Sequence, residues 1–186
     1  MKTKYILHGG SAQHVNEGND LFYREILNNT PNKVRILLVH FAGTKEKEAV
    51  NYQRDSSQFL RNKGNKELTF EVAEKSQFLE QVKNVDVVYF GGGTTVNLMN
   101  ALSKYKNLKE ALRGKIVAGE SAGANSFCSY CYSKSGGGVI KCLGFVPVFM
   151  FPHYDKGNEA DLSGAPSNLE RVLLSNYQFR IFEIQS

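Results

Sequence analysis

Three short, nearly unbroken apolar runs set what this chain can fold into: Val34–His40, Val85–Phe90 and Lys115–Ala118. Each is strand-length, none alternates polar with apolar, and longer amphipathic segments separate them. Strands of that kind are buried on both faces, which describes a parallel sheet covered by helices. Lys4–His8 and Leu68–Val72 read as further strands. Asp20–Asn28, Lys45–Lys63 and Ser76–Lys83 read as helices, with Ser76 as a cap, and another helix follows Thr95 through about Tyr105. Beyond Cys131 the pattern predicts a turning loop at Ser133–Gly138, a strand over Val146–Phe151, a helix over Leu169–Leu174 and a last strand over Phe179–Ile184. The expected fold is an α/β three-layer sandwich with a mostly parallel central sheet, formed as a single domain over residues 1–186.

Composition narrows the class. A hydrophobic fraction of 41% and a charged fraction of 22% are those of an ordinary globular protein. The net charge of +5 is mild and scattered among acids, without the clustered basic residues and exposed aromatics of a nucleic-acid groove. No run reaches membrane-spanning length, and the N-terminus turns polar too soon for a signal peptide. Three cysteines suit reduced thiols and a cytoplasmic location. Cys128 and Cys131 form a Cys-x-x-Cys without a second pair, so no metal is expected, and both read as small core residues.

Gly119-Glu120-Ser121-Ala122-Gly123 follows the third apolar run directly. A serine between small residues at a strand-to-helix junction has the form of a nucleophile elbow. Glycines two before and two after the serine relieve the crowding of so tight a turn, and the Ala122 N–H would stand at a helix start, aimed at developing negative charge. The plainer alternative is a glycine-rich turn with an incidental serine.

In open α/β sheets, sites gather beyond the carboxyl ends of the strands. Gly9-Gly10, Gly91–Thr95, the Ser121 turn and the loop at His153 all follow predicted strands. Ser121 needs a base. His14 falls in a polar loop, while His8 and His40 end early strands as core-edge residues. His153, after Pro152, is the expected base. The orienting acid is open: Asp155 comes first, Glu120 is the alternative, and Glu159 and Asp161 are more remote. The Gly91–Gly93 loop permits close backbone approach and suits a second oxyanion donor. It lacks the full spacing of a phosphate-binding loop, so no cofactor is expected.

Phe90–Thr95, Gly119–Asn125, Leu143–Pro147 and Phe151–Tyr154, in that order, resemble the peptidase E (aspartyl dipeptidase) family, whose relatives include cyanophycinases. The resemblance implies a class I glutamine-amidotransferase-like fold and cleavage of short peptides. It makes Ser121 the nucleophile, His153 its base, and Gly92 and Ala122 the oxyanion donors. Three features depart from the family. Ser133–Gly136 holds no carboxylate where the family places its loop acid. Ala165–Asn168 lacks the arginine that holds a substrate aspartate, and Arg171 falls in the predicted helix. Relatives continue for several strands past Ile184. A chain shortened in this way would leave a sheet edge that a second copy could pair with, so a homodimer is one expectation. Two other readings compete: an α/β-hydrolase esterase, for which His153 falls too close to the elbow, and a catalytically impaired binding protein on a peptidase scaffold.

Overall fold

The computed structural model describes residues 1–185, leaving aside the side chains of residues 159–161. Its main sheet has six strands: β1 (Lys2–His8), β2 (Lys33–Val39), β3 (Glu67–Val72), β4 (Val87–Phe90), β5 (Ile116–Glu120) and β10 (Phe179–Gln185). Their spatial order is β10-β1-β5-β4-β2-β3, and every pairing is parallel except that of β10 with β1. The central strands are the apolar runs of the sequence. All of β4 and the last four residues of β2, Ile36 to Val39, are buried, as strands covered on both faces must be.

Alternate residues of each strand feed two cores. Ile6, Ile36, Leu38, Val87 and Tyr89 meet Phe22, Tyr23 and Phe59 from α1 (Glu17–Leu27) and α2 (Glu48–Asn62). Tyr5, Leu7, Val39, Phe90 and Val117 point the other way. There they meet α3 (Phe78–Lys83), α4 (Thr95–Leu102), α5 (Leu108–Ala111) and α6 (Ala122–Phe127). A fully buried Leu or Phe contributes about 1.5–3 kcal/mol by leaving water, so these two interfaces hold the layers together.

A second sheet, which periodicity did not reveal, completes that far layer. Its strands are β6 (Cys128–Ser133), β7 (Gly138–Lys141), β8 (Val146–Pro152) and β9 (Glu170–Leu174), in the order β7-β6-β8-β9. Three differences from the sequence reading have physical causes. Glu170–Leu174 is a strand rather than a helix, because it pairs in parallel with β8 and buries Val172 and Leu174 on one side. The helix expected from Asp20 begins at Glu17, because the Asn16 side chain accepts the Gly18 N–H and caps it. Ser76 caps nothing: α3 starts after Gln77, without a side-chain cap. The last strand lies where expected, and β10 covers the β1 edge in seven antiparallel residue pairs. The outer strands β3 and β10 carry Glu67, Glu71, Arg180 and Glu183, charges that discourage pairing with another chain.

His8 is buried at the end of β1, where its Nδ1 accepts the Gly10 N–H at 3.1 Å. Burial pushes its pKa from 6.5 down to about 4; the nearby His153 adds to this and Asn19 opposes it. The unfolded chain takes up a proton at this residue near pH 6.5, whereas the folded protein refuses it until about pH 4. Stability is therefore fully present above pH 6.5 and is lost as the pH falls towards 4, by on the order of 3 kcal/mol from this group. Urea midpoints measured across that range should drop for the wild type and drop less for His8→Gln. Equal slopes would remove His8 as the cause.

Candidate active site

The parallel registers bring three glycine-bearing loops to one rim. His8 lies opposite Glu120, and Phe90 opposite Gly119. The loops after β1, β4 and β5 thus emerge side by side. Between them Ser121 sits at φ +48° and ψ −104°, and its N–H donates to the His8 carbonyl at 3.0 Å. A non-glycine residue held there stores about 1–3 kcal/mol of strain, which the surrounding packing must offset. That packing leaves no room for side chains. A Cβ on Gly119 would lie 2.5 Å from the Gly123 carbonyl carbon, and one on Gly123 would overlap the Phe90 carbonyl oxygen. Here the glycines serve close backbone approach rather than a left-handed conformation.

The second sheet delivers the imidazole. His153 follows β8 at φ +53°, and its N–H donates to the Gly9 carbonyl at 2.8 Å. Its ring lies so close over Gly10 that any side chain there would overlap it. Nε2 is 2.9 Å from Ser121 Oγ. The structure thus brings together two side chains 32 residues apart in the chain.

On its other nitrogen, His153 meets Asn176: Nδ1 is 2.6 Å from Asn176 Oδ1. When Nε2 accepts the serine proton, Nδ1 carries the other hydrogen and donates it to this oxygen. Neither acid expected from the sequence stands at this nitrogen. Asp155 turns away and accepts the Gly157 N–H of its own turn at 2.7 Å. Glu120 points below the rim and accepts the Ala12 N–H at 3.1 Å. The side chains of Glu159 and Asp161 lie outside the described residues. The Asn176 turn is pinned from two directions. Gly9 donates to the Gln178 carbonyl at 2.8 Å, and Ser175 Oγ donates to the Tyr154 carbonyl at 2.7 Å. The signal for Asn176 was present in the chain, but only if Glu170–Leu174 is read as a strand. Pro152 is then in register with Leu174, which sets the residues just after both strands side by side.

Next to this pair a cavity of about 270 Å³ opens, lined by Thr95, Asn125, Tyr132, Lys134, Phe151 and Asn158 among others. Asn125 is buried at its base. Its Nδ2 donates to the Tyr132 carbonyl at 3.3 Å and to Thr95 Oγ1 at 3.2 Å, leaving Oδ1 as a spare acceptor. Among the described residues that line the cavity, Lys134 is the charged one, and it stands at an exposed position. Ala122 opens α6, so its N–H is one that the helix itself leaves unused. Gly92 stands across the rim in the loop after β4.

His40 is buried against Asp55, 2.9 Å away, which Arg54 also binds at 2.7 Å. His14 is exposed near Tyr177. Cys128, Cys131 and Cys142 are free and buried. No helix among the described residues is long and apolar enough to cross a membrane.

Two solved structures share this architecture. A protein from Listeria monocytogenes EGD-e named for peptidase E matches at TM-score 0.69 and 14% identity, over 100% of both chains. A peptidase from an acI-B1 actinobacterium matches at TM-score 0.72 and 17% identity, over 98% of this chain and 84% of that one. The fold is thus the class I glutamine-amidotransferase-like α/β fold rather than that of the α/β-hydrolases. The sequence model of peptidase family S51 matches residues 5–168, and the chain belongs to that family. A curated relative, the uncharacterized peptidase YgaJ of Bacillus subtilis (strain 168), is 39% identical over 87 residues. That alignment spans 43% of this chain and 37% of the relative.

The close approach at the elbow yields a direct test. Gly119→Ala should destabilise the protein by about 1–3 kcal/mol, as overpacking does, read as a lower urea midpoint with unchanged slope. A wild-type midpoint would mean that the turn yields more easily than its backbone contacts imply.

Proposed function

We propose that this protein is a serine-type peptidase that hydrolyses short peptides through an acyl-enzyme. The 2.9 Å contact between Ser121 Oγ and His153 Nε2 carries the reading, with family membership behind it. A serine hydroxyl is a poor nucleophile until an adjacent base takes its proton. In this reading His153 takes the proton as Ser121 attacks the scissile carbonyl, then returns it to the leaving amine. The N–H groups of Gly92 and Ala122 hold the oxyanion, where removing one donor typically costs about 2.7–4 kcal/mol. Water then releases the acyl group by the same proton path in reverse. Neither step calls for a metal or organic cofactor. The small cavity beside Ser121 favours short substrates, with Asn125 Oδ1 as an acceptor and Lys134 as a cation at its mouth.

Asn176 alters the electrostatics of this chemistry. Its carbonyl oxygen fixes the imidazole tautomer and orientation as a triad acid does, but it brings no negative charge to stabilise the imidazolium. That neutral partner also favours a second reading, a peptide-binding protein with weakened catalysis. A fluorophosphonate probe separates the two. The peptidase should label at Ser121 and hydrolyse members of a dipeptide library, and Ser121→Ala should do neither. Turnover persisting in Ser121→Ala, or a wild type that resists the probe, would end the hydrolase reading.

Asn176 has its own test. Asn176→Ala should lower kcat by about 10- to 100-fold, equivalent to about 1.4–2.7 kcal/mol. Asn176→Asp should move the acid limb of the pH–rate profile to higher pH, because a carboxylate stabilises the imidazolium and so raises its pKa. An unmoved limb would show that position 176 does not govern the imidazole.

A further inference from the structure

Glu120 directly precedes Ser121, and its side chain is buried, 5% exposed. It leads into the Ser121 turn, binds the loop after β1 and packs near the loop after β4. Oε1 accepts the N–H of Ala12, which continues the Gly9-Gly10 turn beneath the His153 ring. Oε2 lies 3.4 Å from the Tyr89 hydroxyl, inside the main sheet. The carboxyl carbon backs the glycine loop, 3.4 Å from where a Cβ on Gly92 would stand. The neighbouring Gly91 rests on the same buried polar layer, with His40 Cδ2 at 3.3 Å and Arg54 Nη2 at 3.5 Å from its Cβ position. Burying a carboxyl group is costly unless it is hydrogen-bonded. A hydrophobic residue would fill the space without that cost, but it would leave the Ala12 N–H without its acceptor.

We propose that Glu120 is a positioning residue: its buried carboxyl group holds the Ala12 turn, the Gly92 loop and the Ser121 turn in one arrangement. It acts through the Gly92 N–H and through His153, and it touches no substrate. This inference rests on the serine-hydrolase reading above. The contacts require an acceptor of this length rather than a charge. Glutamine supplies both, whereas alanine supplies neither.

The test combines two measurements on the protein and its Glu120→Gln and Glu120→Ala variants. The first is the rate of fluorophosphonate labelling at Ser121. It should fall about 10- to 100-fold in Glu120→Ala and stay within about threefold of wild type in Glu120→Gln. The second is backbone hydrogen exchange. It should quicken at residues 10–12 and 91–93 in Glu120→Ala alone, while the core strands keep their protection. Wild-type labelling by Glu120→Ala, equal loss in both variants, or exchange that quickens throughout the core would overturn the proposal. Hydrogen exchange does not depend on activity. A wild type that resists the probe would therefore count against the hydrolase reading, while the exchange pattern would still decide whether Glu120 organises the loops.

Discussion

The site depends on the central place of β5 between β1 and β4. Parallel pairing on both sides sets the ends of three strands level, so the loops after them share one rim. The chain must then leave β5, reverse sharply at Ser121 and enter α6 with the Phe90 carbonyl against its back. Only a turn bare of side chains fits. The strain at Ser121 is tolerated because the two neighbouring strands and α6 hold the turn from every side, and it leaves the hydroxyl facing out of the sheet rather than into the core.

The other half of the site comes from the second sheet. His153 and Asn176 follow adjacent parallel strands, and the same geometry that aligns the main rim aligns these two residues. Backbone hydrogen bonds from the Gly9-Gly10 turn reach both loops, binding the Gln178 carbonyl on one side and the His153 N–H on the other. The imidazole is therefore placed by main-chain contacts as much as by its side-chain partner. Asn176 adds one side-chain contact to that main-chain placement.

Below the rim lies a layer of buried polar groups, His40, Asp55, Tyr23, Tyr89 and Glu120, with the partly exposed Arg54 bound to Asp55 at its side. Burial raises the pKa of Glu120, and the Arg54 guanidinium opposes that rise. Burial likewise holds the Tyr89 hydroxyl well above its usual range. Of these groups, His40, Asp55, Arg54 and Glu120 pack beneath Gly91 and Gly92, within 3.3–3.6 Å of where Cβ atoms on those glycines would stand.

Much of this was legible in the chain. The unbroken apolar runs identify buried parallel strands because a strand covered on both faces has no polar positions to spare. The elbow is legible too, since Gly119 answers a steric demand from Gly123 and Ala124 close by in the chain, although Gly123 answers one from Phe90. Three things were not local. Glu170–Leu174 is helical by composition and becomes a strand only because β8 offers it a partner. The second sheet exists through strand pairings that the alternation of residues along each segment does not announce. Asn176 gains its place from that pairing, whereas Asp155, nearer in sequence, is turned away by its own hydrogen bond to Gly157. The main strands and the serine turn could thus be read from the chain, because burial and tight turns leave their marks in the residue types of each segment. Which residue faces the imidazole could not, because that choice is made by the alignment of two strand ends in the folded molecule.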